Sequence, residues 1–414
     1  MKEIREFFRR FLARVREIRL EDVLIVVAGI LVAGLLRWSL RGHFSNDTRL
    51  DFSVWYRAIQ KNGFAAIKNG VSNYTPLYLY LLYIISKVRP STQLITAIKL
   101  PSMLCDFLCA WLVFRLVRLK YPQGPAALFS FFAILFAPTV VLNGSFWGQF
   151  DILWVTGLVA CLLFLAENKG WQACLAFGVA VSIKVQAIFF LPFLAAMLLK
   201  RKIPWWSLLL IPGFYLASIL PVWIGGRPLL DLLTIYLSQW NLYATLTAQA
   251  PNLYNWFPEW IFSTLAPAGV YYALGICLLY LVIVFKSRKP LAASTLVQLA
   301  LVSVLLVPYF LPKMHDRYFL PADVLSIVYA FYFPELFYVA LLTNLVSFFS
   351  YQYFLFNMES LPFSVLAIVL LGVIVLVVWK LILTLYRGEE IGEAGTAEAP
   401  LTPDGIEPAC PDRA

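Results

Sequence analysis

Three short stretches of this 414-residue chain, and one lysine outside them, carry side chains able to move a proton or hold a phosphate. In NDTRLDFSVWYRAI, Asp47 and Asp51 are four residues apart, so on a helix both carboxylates share a face. A carboxylate there serves as general base if it reaches a substrate hydroxyl and is partly desolvated. The same spacing also fits a solvated loop acid near a cap formed by Ser45 and Asn46. In NGSFWGQFDILW, Asp151 opens an apolar run, where a helix dipole favours a negative charge. Trp147, Gly148 and Gln149 crowd just before it, and glycine lets backbone come close to a ligand. In LPKMHDRYF, Lys313, His315 and Arg317 place three nitrogen donors within five residues, around Asp316. Phosphate suits them, with Lys as point charge, Arg as fork and His as proton or hydrogen-bond donor. Interfacial anchoring is the other reading of the two cations. Lys184, in SIKVQ, interrupts an apolar stretch, and an ionisable group at membrane depth usually faces a cavity. His315 and His43 are the only histidines, which argues against a histidine-rich metal site. Asp47, Asp51 and Asp151 suit Mg²⁺ or Mn²⁺, so a divalent metal is compatible with the set but not required by it. Asp106, inside an apolar run and two helical turns from Lys99 on one face, reads as a structural hydrogen bond between helices.

The elements that must position these groups are membrane spans. With 61% hydrophobic and 14% charged residues, the composition excludes a soluble globule, for which about 25% charged is usual. The net charge of +10 lies in short basic clusters between apolar runs, a pattern of membrane topology rather than of nucleic-acid binding. The six cysteines have no metal-ligand spacing, and five lie in apolar runs, so neither disulfides nor zinc are expected. The fold class is an all-α polytopic membrane protein of about twelve transmembrane helices. The spans fall near 22–41, 97–119, 122–142, 151–167, 171–183, 186–200, 204–223, 266–286, 292–312, 318–333, 335–356 and 361–386. Residues 1–21 read as a retained basic amphipathic helix on the cytoplasmic side, residues 22–386 as the membrane domain, and residues 387–414 as a disordered cytoplasmic tail. Counting from an inside N-terminus puts Arg115/Arg118/Lys120, Lys200/Arg201/Lys202 and Lys286/Arg288/Lys289 at cytoplasmic loops. This register requires YTPLYLYLLYIIS (74–86) to be a re-entrant or surface helix. The exterior segments are then about 42–96 and 225–265, and every chemical group singled out above, Asp106 and Lys99 apart, falls at an exterior end.

The order of an acidic exterior loop, NYTPLYLYLL, KLPSMLCDFLCAWLVFRLVRLKYP, FAPTVVLNGSFWGQFD, SIKVQAIFFLPF and LPKMHDRYFLPADV resembles the GT-C superfamily. Within it, the likeness is to bacterial relatives of the PIG-V type mannosyltransferase of GPI-anchor assembly, over roughly residues 40–335. The resemblance implies a GT-C-like fold with juxtamembrane helices in the long first exterior loop. It also implies transfer of a hexose, mannose-like, from a polyprenyl-phosphate-linked donor to a glycolipid or glycan acceptor. The reaction would invert the sugar on the non-cytoplasmic face of a bacterial inner membrane. By the same resemblance Asp47 matches the family's catalytic base, with Asp51 as runner-up, and Asp316 stands where the family has Glu. Lys184, Lys313, His315 and Arg317 are then expected to bind the donor phosphate. Trp147, Gln149, Asp151, Tyr74, Asp316, Gln239 and Asn252 are expected to contact substrate, with Trp240, Asn241 and Tyr254 contributing from the second exterior segment. Trp147 and the apolar spans would hold the prenyl chain, at roughly 0.8 kcal/mol per buried CH₂. No glycine-rich phosphate loop points to a nucleotide-sugar donor. The competing classes are a transporter or flippase of lipid-linked sugars and an inactive scaffold. A transporter would hold its charges near the midplane between inverted repeats, and no such repeat is visible.

Overall fold

The computed structural model describes residues 20–240 and 244–387. Nearly all of the expected N-terminal amphipathic helix and of the C-terminal tail, together with Asn241 and the Trp240 side chain, lie outside what is described. The helices in chain order begin with α1 Leu20–Leu40, α2 Ser53–Asn62, α3 Phe64–Lys68, α4 Pro76–Val88, α5 Leu94–Lys120 and α6 Ala126–Phe136. They continue with α7 Pro138–Val141, α8 Asp151–Ala166, α9 Gly170–Ile183, α10 Leu191–Leu199, α11 Leu210–Ile224 and α12 Leu229–Leu233. The last are α13 Ile235–Trp240, α14 Phe262–Lys286, α15 Ala293–Phe310, α16 Leu320–Tyr332, α17 Tyr338–Phe356 and α18 Phe363–Tyr386. Two short parallel strands, β1 Thr247–Ala248 and β2 Met314–His315, pair Thr247 with Met314 and Ala248 with His315.

Seven helical stretches are long and apolar enough to cross a membrane, at 23–40, 94–120, 205–224, 259–286, 293–310, 334–356 and 363–386. Joining α6 to the segment 138–147 across their 45° bend gives an eighth. The bend has a plain cause: Pro138 cannot continue the hydrogen-bond ladder, and Ala137 before it is forced to ψ 120°. The expected spans at 151–167, 171–183, 186–200 and 318–333 are helices of 16, 14, 9 and 13 residues, too short to cross alone. Their apolar character serves the protein interior instead. α8 and α16 are buried along almost their whole length, whereas α1 and α14 turn large side chains such as Leu31, Leu35, Leu274 and Leu278 outward. An apolar run does not distinguish these two solvents, so the count of twelve is not confirmed. Residues 76–88 form a 13-residue helix, also short of a crossing.

The core is built on α8, which packs against α5, α9, α15 and α16. Gly157 makes the closest of these approaches possible, since a Cβ there would lie 2.8 Å from the Ala180 Cβ on α9. α1 is tied to the bundle by charge. Arg37 is fully buried, donates to Asp106 Oδ2 at 2.7 Å and to the Leu135 carbonyl at 2.9 Å, and so joins α1 to α5 and α6. Asp106 does bond between helices, but its partner is on α1. Lys99 donates instead to three carbonyls, those of His43 at 2.7 Å, Ser145 at 2.9 Å and Phe146 at 2.7 Å.

Candidate active site

The site begins where two irregular segments meet. Residues 48–52 form one π-helical turn and residues 142–147 another, the second ending at Gly148 with φ 87°. A side chain at Gly148 would be strained by that φ, and its Cβ would sit 2.4 Å from Thr48 Cγ2, so glycine alone lets the two turns touch. Ser45 fastens the contact: its hydroxyl donates to the Trp147 carbonyl at 2.7 Å and accepts from the Thr48 amide at 3.2 Å. Irregular backbone at this depth is tolerated where it is buried in protein or lines a cavity.

Asp47 lies at this junction. The Trp147 indole N–H donates to its Oδ2 at 2.9 Å, and Gln149 Nε2 donates to the same oxygen. Arg317 Nη1 approaches that oxygen to 3.8 Å. All three contacts fall on Oδ2, and Oδ1 accepts no hydrogen bond among the described residues. Asp51 is exposed and has no hydrogen bond or ion pair among the described residues. Partial burial and the neighbouring Asp47 charge raise its pKa, against the pull of Arg317.

Asp151 is the second centre of the site. It is fully buried, accepts from Lys184 Nζ at 2.5 Å, from the Trp154 indole at 2.9 Å and from Asn143 at 3.3 Å, and lies 3.7 Å from Arg317 Nε. The Arg317 guanidinium therefore bridges Asp47 and Asp151, and it lies 5.4 Å from the centre of the Trp147 ring. Asp316 is buried beside it. Its Oδ1 accepts from the Arg317 amide at 2.8 Å, and its Oδ2 has no hydrogen-bond partner among the described residues. Burial pushes the Asp316 pKa up to about 7, against the pull of Arg317. His315 is held well below the ordinary histidine range by burial and by the Arg317 and Lys184 charges, so the imidazole is neutral near pH 7.

A cavity of about 170 Å³ adjoins Arg317 and is lined by Tyr74, Gln186, Tyr236, Gln239, Lys313 and His315, with Asn73 and Tyr318 completing its polar wall. Lys313, at φ 65°, also borders a second cleft of about 300 Å³ formed by Phe262, Ala266, Pro267, Val270 and Tyr271 at the start of α14. Lys313 thus borders both spaces: the first sets these polar side chains beside Val185, Ile188, Phe189, Leu311 and Met314, and the second has no polar side chain but Ser263, Tyr271 and Lys313 itself. The loop that carries it is clamped from the second exterior segment. The Lys313 amide donates to the Leu246 carbonyl at 2.8 Å, and the Leu246 amide in turn donates to Glu259 Oε2 at 2.8 Å.

Several expected site residues are brought together: Asp47, Trp147, Gln149, Asp151, Lys184 and Arg317 form one connected cluster, and Tyr74, Gln239, Lys313, His315 and Arg317 line the chamber. Others serve differently from the expectation. Lys184 is fully buried against Asp151 and does not line the chamber, so no phosphate reaches it there. Trp147 is also fully buried, with its ring 4.6 Å from that of Phe354, and it holds Asp47 rather than a prenyl chain. Gln149, Asp151 and Asp316, at most 2% exposed, support the site from beneath it. Asn252 caps the turn at Tyr254, whose hydroxyl donates to the Phe310 carbonyl at 2.7 Å; both pin the loop. Asp47, Asp51 and Asp151 do not form a metal cage, and among the described residues no group of three or more His, Cys, Asp or Glu does. Reasoning from sequence missed Asn73, Gln186, Tyr236 and Tyr318. Three of them lie in stretches already quoted: Asn73 opens NYTPLYLYLL, and Gln186 and Tyr318 close SIKVQ and KMHDRY beside the charged residues.

These elements define an integral membrane protein with a GT-C fold. The chain is similar in structure to ArnT from Cupriavidus metallidurans, in a crystal structure bound to undecaprenyl phosphate, at 13% identity and a TM-score of 0.51. That likeness covers 89% of this chain and 78% of ArnT. Residues 63–200 match the family model described as alpha-(1->6)-mannopyranosyltransferase, N-terminal domain, a mannosyltransferase likeness under a different family description from PIG-V. A comparison with curated proteins gave no match.

Proposed function

We propose that this chain is a glycosyltransferase that moves a hexose, mannose by the family likeness, from a polyprenyl-phosphate-linked donor to a hydroxyl of a glycolipid or glycan acceptor. The observation that carries the reading is the position of Lys313 between a chamber that gathers the site's charged, amide and phenol side chains and a cleft whose only other polar side chains are Ser263 and Tyr271. A lipid-linked sugar has that same order: a polar ring, a phosphate, then hydrocarbon. Lys313 and Arg317 stand where the phosphate would lie, supplying a point charge and a planar fork.

Asp47 is the base in this reading. Its Oδ2 is held by Trp147, Gln149 and Arg317, leaving Oδ1 to take the proton of the acceptor hydroxyl. The acceptor oxygen bonds to the anomeric carbon as the bond from that carbon to the phosphate oxygen breaks, inverting the centre. The electron pair leaves with polyprenyl phosphate, whose charge is met by Arg317 and Lys313 in a site poor in water. Neutral His315 contributes a hydrogen bond rather than charge. Lys184 and Asp151 hold Arg317 in place. ArnT, crystallised with undecaprenyl phosphate, supports a polyprenyl carrier on the shared fold.

The test is reconstitution in liposomes with a panel of polyprenyl-phosphate hexoses and candidate acceptors, comparing wild type with Asp47→Asn and Asp51→Asn. Sugar transfer by wild type, a loss of 10²–10⁴-fold in Asp47→Asn and near-normal turnover in Asp51→Asn are expected. Loss confined to Asp51→Asn moves the base by four residues. Labelled lipid crossing the bilayer without product replaces the transferase with a transporter.

A further inference from the structure

Gln186 has one amide atom with no hydrogen-bond partner among the described residues. It follows Lys184 in the 3₁₀ turn Val185–Phe190, lines the polar chamber and is 9% exposed. Its Nε2 donates to the Tyr318 hydroxyl at 2.9 Å, and its Oε1 is buried without a hydrogen bond among the described residues. A buried amide oxygen left so carries an uncompensated desolvation cost.

Two other neutral side chains of the chamber are held within the protein. Gln239 Nε2 donates to the Asn73 carbonyl at 2.7 Å, and the Tyr236 hydroxyl donates to the Val181 carbonyl. The chamber is more than tenfold larger than the ~10–15 Å³ that one water needs, and no carboxylate is among its lining residues. Its cations, Lys313 and Arg317, are the groups suited to phosphate, so Gln186 provides a neutral contact for whatever the phosphate carries.

We propose that Gln186 reads the donor sugar: its free amide atom hydrogen-bonds one ring hydroxyl of the pyranose and makes Gln186 a specificity-determining residue. This rests on the lipid-linked donor reading above. A pocket built to bond a particular hydroxyl rejects the analogue that lacks it, because the protein atom is then left unpaired.

The experiment uses the full chain in liposomes and a donor series of the transferred sugar with each ring hydroxyl removed in turn. Wild type is expected to lose roughly 10–100-fold in kcat/KM with one deoxy donor, as befits one hydrogen bond. In Gln186→Leu, which keeps the side chain's bulk, the parent donor falls to that same level and discrimination at that position shrinks to within about threefold. The ranking of the other deoxy donors is unchanged. Gln186→Glu, which keeps an oxygen in place, retains discrimination if Oε1 faces the sugar and loses it if Nε2 does. A wild type that tolerates every deoxy donor overturns the proposal without recourse to any variant. So does a Gln186→Leu protein that slows all donors equally or leaves discrimination intact. No product from wild type with any donor overturns the parent reading, and this one with it.

Discussion

Asp316 shows how far burial can move one side chain's chemistry. Burial, helped by the Asp47 and Asp151 charges, outweighs the charge and backbone hydrogen bond of Arg317 and brings the carboxyl up to about 7. An acid whose pKa is raised by folding binds more protons folded than unfolded between the two values. Its contribution to stability is therefore full below about 4 and is lost as pH rises through about 7. Asp51, shifted in the same direction, adds to this slope, while His315, held low, opposes it at the acid end, so the comparison that isolates Asp316 is wild type against its amide variant. Wild type in detergent is expected to melt at a lower temperature at pH 8 than at pH 5.5. In Asp316→Asn the difference should shrink to less than half, because the variant keeps an oxygen for the Arg317 amide but has nothing to titrate. An undiminished slope in the variant would mean that the titration belongs to other groups. The sequence shows an acid between His315 and Arg317, but not that Asp47 and Asp151, from two distant segments, would be charged neighbours of it.

At the scale of elements, the site depends on two π-helical turns held against each other, and Lys99 holds them. From α5 it donates to the His43 carbonyl on one side and to the Ser145 and Phe146 carbonyls on the other, so one ammonium joins the segment before Asp47 to the segment before Gln149. Lys99→Met keeps the stem and removes all three bonds, a cost of about 2–4 kcal/mol if most of the carbonyls find no other donor. A fall of several degrees in melting temperature is expected, with kcat down at least tenfold. The KM for donor should hold within threefold, because Lys99 does not line the chamber. A rise in KM at constant kcat would show that Lys99 shapes the donor site instead. The motif WGQFD marks this region correctly, since it carries Trp147, Gln149 and Asp151. Which way each side chain points is not legible from it. That depends on Gly148 at φ 87° and on the turn before it, which aim Trp147 and Gln149 together at Asp47 and send Asp151 toward Lys184. The chamber's far wall was hidden for a simpler reason. Gln186, Tyr236 and Tyr318 are ordinary neutral residues in three distant stretches, brought together only by packing.

For the whole molecule, the short central helices fix where the site lies. α8 and α16 start at the site, from Asp151 and just after Arg317, and run about 24 Å and 20 Å at 1.5 Å per residue. Their other ends meet basic residues: Glu167, one residue past α8, pairs with Arg115, and Lys120 donates to the Tyr332 carbonyl at the end of α16. Asp47, Asp151 and Arg317 thus stand at one end of the bundle and the Arg115 to Lys120 cluster at the other. These helix lengths are most of the way across the roughly 30 Å of a bilayer core. The spacing of basic clusters suggests the same polarity from sequence, and it requires the short buried helices of the core to run from one face of the bundle to the other, since Arg317 could not otherwise lie beside Asp47. Cytoplasmic loops favour Lys and Arg, so the site should face outward. A membrane-impermeant thiol reagent tests this in intact cells carrying a Cys410→Ser background, the five other cysteines lying in the described bundle as free thiols, none of them exposed. Cysteine placed at Gln60, exposed on α2 beside the site, is expected to label from outside. Cysteine at Gln123, exposed in the loop after Lys120, should label only once the membrane is opened. The reverse pattern would put Asp47 on the cytoplasmic face. The donor would then have to present its sugar to the cytoplasm, and the acceptor would have to be sought there.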